Sequence, residues 1–376
     1  MRRLYIWITA IGVLALGSGI WLERTQLLAW YYVHELSAAN PENRDLWMAR
    51  TLSLDEAVVP SLVACLDRTD ELACDNATLA MRNLVERWGL DDPRAISLSR
   101  KICDGFPALS GAGQEKVLQL ERAWVGMRNT SPAGLLIQNA CHVLLESAKV
   151  ANSGVRHQAL SLATEILQAT AAQKTPAEPM LLDACRELAQ DGLRDGSETN
   201  RLLAVRLAQR PEVNLLTEIV PLLRDNSAVV RREAILALGP APEVIGDDHL
   251  FYWLNDPDAD VRALCEMALR GRGLQENHIR LAKLMADRRP AVRLQVIESL
   301  GSTPDLDPGV WLRRLSHDPT PAIRAAAARA ATNQPQIDLS DRIEQMAQND
   351  PSPTVQQVAR YYLSCQKQHA VISSAH

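Results

Sequence analysis

Phenylalanine is nearly missing. Phe106 and Phe251 are the two in 376 residues, against eight Trp and six Tyr. Sandwich and α/β cores usually spend more of this ring, so the scarcity points away from them. Paired cysteines are missing too: the seven at 65, 74, 103, 141, 185, 265 and 365 form no C-x-x-C, which removes the dithiol redox motif and the zinc-knuckle pattern. An excess of positive charge is also lacking. A formal net charge of −5 argues against a protein that coats nucleic acid. The charged fraction of 23% nevertheless sits near the globular mean of about 25%, which excludes wholesale disorder.

Signatures of chemistry are absent as well. The chain has no G-x-G-x-x-G, no phosphate-binding G-x-x-x-x-G-K-[ST] and no G-x-S-x-G elbow. Its eight His never form H-E-x-x-H, and His249, behind Asp247 and Asp248, reads as a solvated loop. No catalytic, cofactor-binding or metal-ligating residue is assigned, and no enzyme activity is expected. Cys65 and Cys74 flank a turn between two expected antiparallel helices and are placed for a disulfide. Asn76 and Asn129 head glycosylation tripeptides, a pattern common by chance.

A long apolar run is present at the amino end. Leu4 to Leu22 carries no charge, and nineteen residues of helix reach roughly 28 Å, close to a hydrocarbon core of about 30 Å. Arg2 and Arg3 precede it and bulky Ile20, Trp21 and Leu22 close it, which suits an uncleaved anchor better than a signal peptide. The expectation is a single-pass membrane protein: residues 1–3 cytoplasmic, 4–22 spanning, the body extracytoplasmic. Residues 23–50 read as helices lying at the headgroups or capping the first helical pair.

The strongest pattern is periodic. Asp225, Asp256, Asp287, Asp318 and Asp350 recur at spacings of 31, 31, 31 and 32. Six residues after the first four stand Arg231, Arg262, Arg293 and Arg324, each behind Val or Ile; Asp195 and Arg201 keep the offset one unit earlier, and Gln356 replaces the last Arg. Apolar residues at helical spacing precede each Asp and follow each Arg, as in Val230, Ala234, Leu236 and Leu238. Pro257, Pro319 and Pro351 turn the chain, the Asp is available to cap the next helix, and Gly239, Gly271 and Gly301 punctuate its end. Each unit is therefore two antiparallel helices that must stack on neighbours to bury both faces.

Over residues 215–363, and back to Asp195, this pattern resembles the HEAT repeats, and its short period resembles the HEAT-like repeats of the phycobilisome-lyase type. The resemblance implies an all-α solenoid, here preceded by one transmembrane helix: irregular helical pairs over 51–194, regular repeats over 195–365 and a tail at 366–376. It also implies a structural reading of Asp195, Arg201, Asp225, Arg231, Asp256, Arg262, Asp287, Arg293, Asp318 and Arg324, as a ladder tying successive units together. A row of arginines offered to an acidic ligand is the competing reading.

The function implied is a membrane-anchored scaffold that binds other proteins on its concave face, with neither a small-molecule substrate nor nucleic acid. The alternatives are a HEAT-like enzyme of lyase type, or a binder of anionic ligands or nucleic acid using residues 262–329, where twelve Lys/Arg face seven acids.

Overall fold

The computed structural model describes residues 24–127, 134–172, 177, 179–300, 306–334 and 337–373. All regular structure among them is helical, and it divides into two compact units, Met1–Ile219 and Val220–His376.

The first unit holds α1 (24–37), α2 (Pro41–Ser53), α3 (Val59–Cys65), α4 (Glu71–Trp88), α5 (Pro93–Gly105), α6 (Gly111–Gly126), α7 (Gly134–Ser147), α8 (Ser153–Ala172), α9 (Pro179–Leu193), α10 (Glu198–Ala208) and α11 (Leu216–Ile219). Even-numbered helices pack in succession, α2 on α4, α4 on α6, α6 on α8 and α8 on α10. Odd-numbered helices do the same from α3 to α11, and the pairs α3/α4, α5/α6, α7/α8 and α9/α10 join the two layers. This is the stacking of helix pairs that neither layer could stabilise alone.

Local sequence sets the helix ends. Asp70 Oδ1 accepts from the Leu72 N–H at 3.1 Å to open α4, whose Ala73, Ala77, Ala80, Met81 and Leu84 then form one buried stripe. Asp92 and Pro93 open α5 in the same way. Between the layers lie Leu62, Leu66, Leu98, Ile102 and Leu118, all essentially inaccessible, with Phe106 and Trp124 the largest side chains fully enclosed. Aliphatic side chains do the rest of the filling.

The second unit holds α12 (Ala228–Leu238), α13 (Asp247–Trp253), α14 (Ala259–Gly271), α15 (Glu276–Met285), α16 (Pro290–Leu300), α17 (Pro308–Leu315), α18 (Pro321–Thr332), α19 (Ser340–Asn349) and α20 (Pro353–Ser373). A 3-10 turn at Val220–Arg224 packs on α12. In the even layer α12 meets α14, and α18 lies between α16 and α20. Alanines 327, 328 and 331 of α18 are buried there, side chains small enough for close helix approach.

Two expectations need correcting. The expected span at residues 4–22 lies outside the described residues, and no helix among the described residues is long and apolar enough to cross a membrane. Even the longer ones carry charge along their length, as α4 does with Asp75, Arg82 and Glu86, because they pack on one another with one face in water. The single-pass placement, the membrane partner and the extracytoplasmic body are accordingly withdrawn. The glycine stops also differ. Gly239 follows α12 with φ −53, so it is not a left-handed cap; a Cβ there would lie 2.8 Å from the Ile235 carbonyl oxygen of α12 and 2.9 Å from the Ala268 Cβ of α14, so crowding from both helices is what demands glycine. Gly271 is the last residue of α14, while Gly273 carries the positive φ of 95. Gly301 lies outside the described residues.

Candidate functional site

Each recurring Asp folds its carboxylate back on the chain. The N–H two residues on donates to Oδ1 at 2.8 Å for Asp195, Asp225, Asp256, Asp287 and Asp350 and at 2.7 Å for Asp318. The Asp thus makes the turn, and the residue two places later stands at the head of the helix. Ser227 and Asp258 there accept from the N–H groups of Val229 and Val261.

The Arg six residues after the Asp spends Nη1 on its own turn. It donates to the Asp carbonyl and to the next carbonyl at 2.7–3.2 Å in Arg201, Arg231, Arg262, Arg293 and Arg324. The other edge of the guanidinium reaches forward. Arg231 donates Nε and Nη2 to the two oxygens of Asp256 at 2.9 and 2.8 Å. Arg293 does the same to Asp318 at 2.7 and 2.9 Å, and Arg324 to Asp350 at 2.8 and 2.6 Å. These three carboxylates are at most 5% exposed. Buried charges are tolerated because the bidentate pair and the turn N–H satisfy them together.

Departures from the pattern have visible causes. Arg156 is an additional member, paired with Asp195, which also accepts from Ser153 at 3.1 Å. Asn200 stands where the later units have Val or Ile because its Nδ2 donates to the Ser153 carbonyl at 2.9 Å. Gln356 Nε2 keeps the bond to its own turn, the Asp350 carbonyl, at 2.8 Å. Arg262 is different. It bonds its own turn but not Asp287, whose carboxylate is taken by Arg289 Nε and Nη2 at 3.0 and 2.9 Å.

One exposed apolar groove, of about 590 Å³, opens between α12 and α14. Leu236 and Met267, 47% and 55% exposed, flank it with Leu264, Pro240 and Pro242. Its floor is fixed by Arg272, which donates to the carbonyls of Leu238, Gly239 and Ile245 at 3.0, 2.7 and 2.8 Å and pairs with Asp247 at 3.0 Å.

Residues 280–364 match the family model for HEAT repeats. Those residues are HEAT repeats. The match is to HEAT repeats at large and does not extend to the phycobilisome-lyase type. No curated protein matches the chain. Among solved structures, the chain is similar to an engineered protein from a structural genomics consortium, at TM-score 0.41 and 15% identity, over 89% of this chain and 98% of that one. It is also similar to a structure concerned with tubulin recruitment and assembly by microtubule polymerases with tumor overexpressed gene domain arrays, at TM-score 0.30 and 12% identity, over 91% and 92%.

The remaining expected features fall around these HEAT repeats as follows. Cys65 and Cys74 are free thiols; Cys74 Sγ donates to the Cys65 and Arg68 carbonyls at 3.6 and 3.5 Å, and the expected bridge is not formed. Asn76 is buried and donates to the Leu36 and Ala39 carbonyls at 2.9 and 3.1 Å, which makes it part of the α4 core rather than a glycan acceptor. Asn129 lies outside the described residues. Asp247 and Asp248 pair with Arg272 and Arg314, not with His249.

The basic stretch is mostly committed. Arg270, Lys283, Arg289, Arg293, Arg313 and Arg324 all hold acids, as do Arg272 and Arg314. Arg280, Arg288 and Arg329 are exposed and have no acid partner among the described residues. The apolar period counted Leu236 with the packed face of its helix, whereas it is exposed, and did not single out Met267; both stand eleven residues after their Asp, where the next two units carry Glu298 and Arg329. An apolar residue held in register on an exposed face was the signal.

Proposed function

We propose that this chain is a helical-repeat scaffold that binds another protein through the groove between α12 and α14. The observation that carries the reading is the exposure of Leu236 and Met267 over a floor locked by Arg272. Soluble surfaces rarely leave adjacent large apolar side chains open without a use, and methionine adapts its shape to a partner. Repeat arrays present such faces on elements held by their neighbours.

Two observations support this over the alternatives. The polar cluster of Ser99, Cys103 and Glu121 is sealed in the core, and burial pushes the Cys103 thiol far above its usual range, so no thiolate is presented to a substrate. The cations of the 262–329 stretch are largely neutralised by neighbours, which weakens an anion-binding role.

The test is photocrosslinking in the host from an analogue placed at Leu236 or Met267, with one at exposed Arg329 as control. A discrete adduct at the first two positions, absent at the third and abolished by Leu264→Glu, is the expected outcome. Equal labelling at all three positions would sink the reading.

A further inference from the structure

The even layer of the second unit is interrupted at one place. α12 packs on α14, α16 on α18 and α18 on α20, whereas α14 and α16 barely touch. At that same junction the forward bond is missing. Arg231, Arg293 and Arg324 each grip the Asp of the following unit, but Asp287 is held from within its own turn by Arg289. The residue two places after Asp in the other units is Ser227, Asp258, Thr320 or Ser352, none of which can offer a guanidinium. Arg289 therefore competes with Arg262 for one carboxylate, and a partner two residues away wins because almost no chain entropy opposes it.

In the odd layer α15 and α17 are likewise in little backbone contact, but ring contacts bridge the same point. Trp311 of α17 stacks on Phe251 of α13, ring centres 6.1 Å apart and planes 14° apart, and lies 6.4 Å from the His278 ring of the intervening α15. Arg314 lies over both Phe251 and Trp311, at 5.1 and 5.2 Å, and pairs with Asp248 of α13 at 2.9 Å. Cation–π and stacking contacts of this kind add to the burial of the rings. Helices two places apart are thus fastened on one side of α15 while their even neighbours stay apart.

We propose that the α14/α16 junction is a hinge of the second unit, held open on the even layer by the Arg289–Asp287 pair and pivoting on the Phe251–Trp311 stack of the odd layer. Two packings of the same residues are then available: the open one, and a closed one in which Arg262 grips Asp287 as its counterparts do. Arg289 sets the balance between them, and anything that draws its guanidinium away favours closure.

Hydrogen exchange on the full chain tests this, with Arg289→Ser restoring the residue type found at the same place in the other units. In the wild type the amides of α14 and α16 should exchange faster than those of α18 and α20. In Arg289→Ser, protection of α14 and α16 should rise about tenfold, the scale of one charge-assisted hydrogen bond. Arg262→Ala should lower the wild-type melting temperature much less than Arg231→Ala does, and its cost should grow in the Arg289→Ser background. Unchanged exchange of α14 and α16 in Arg289→Ser overturns the proposal. So does a cost of Arg262→Ala that matches Arg231→Ala in the wild type or is the same in both backgrounds.

Discussion

Arg324 and Asp350 share two parallel hydrogen bonds, 2.8 and 2.6 Å, that join α18 to the turn before α20. The same guanidinium donates to the Asp318 carbonyl behind it at 2.8 Å, so one side chain ties the turns of two consecutive units. Arg324→Ala leaves the Asp350 carboxylate buried with only the Ser352 N–H. Loss of one member of such a pair costs about 3–5 kcal/mol. Urea unfolding followed by circular dichroism should show that loss; a change below about 1 kcal/mol would mean the pair behaves like a surface salt bridge.

Acid should remove the same contribution. The Arg324 hydrogen bonds hold the Asp350 carboxyl below its ordinary range, and the Ser352 N–H adds to this. A depressed folded pKa contributes stability above the unfolded value, about 3.9, that is lost as pH falls through the folded one. The stability gap between wild type and Asp350→Asn should therefore be constant from pH 7 to about 5 and close progressively below about 4. A gap that persists undiminished at pH 2 counts against the assignment.

The repeat architecture was legible because the Asp and Arg of each unit recur at a fixed offset, and the geometry of the turn they build fixes that spacing. What escaped is where two chemistries compete for one partner. Arg289 looks like any surface charge until its distance to Asp287 is known. The groove escaped for another reason: Leu236 and Met267 fit the apolar period of their helices, and that period by itself does not separate the core face from the open one. The membrane placement rested on the hydrophobicity and length of residues 4–22 alone, which lie outside the described residues.

Close approach makes a sharp prediction in the first unit. A Cβ on Gly113 would lie 2.0 Å from the Leu66 carbonyl oxygen, where Ser110 Oγ already donates to the Leu66 and Arg68 carbonyls at 3.1 and 2.6 Å. The obstacle is backbone, so α6 must move off α3. Gly113→Ala is expected to cost about 1–3 kcal/mol or more. Gly126 has nothing within 4 Å, and Gly126→Ala should gain about 0.5–1 kcal/mol from helix propensity. Thermal melts of the two variants should shift in opposite directions; a shared sign would refute the packing argument.

Glu121 should give the chain an opposite response to pH. It is fully buried on α6, Ser99 Oγ and Cys103 Sγ of α5 donate to its Oε1 at 3.0 and 3.5 Å, and Asn139 of α7 donates to Ser99 at 2.9 Å. Its Oε2 has no partner among the described residues. Burial pushes its pKa up to about 7, with the two hydrogen bonds opposing that rise. Because the folded value lies above the unfolded one of about 4.3, the group's contribution is complete below about pH 4 and is lost as pH rises to about 7, by ~4 kcal/mol in all. Glu121→Gln keeps the shape without the charge and should flatten that slope, leaving the variant more stable than wild type at pH 8. Parallel urea midpoints for the two proteins from pH 4 to pH 8 would show instead that Glu121 stays ionised in the core, compensated by groups outside this cluster.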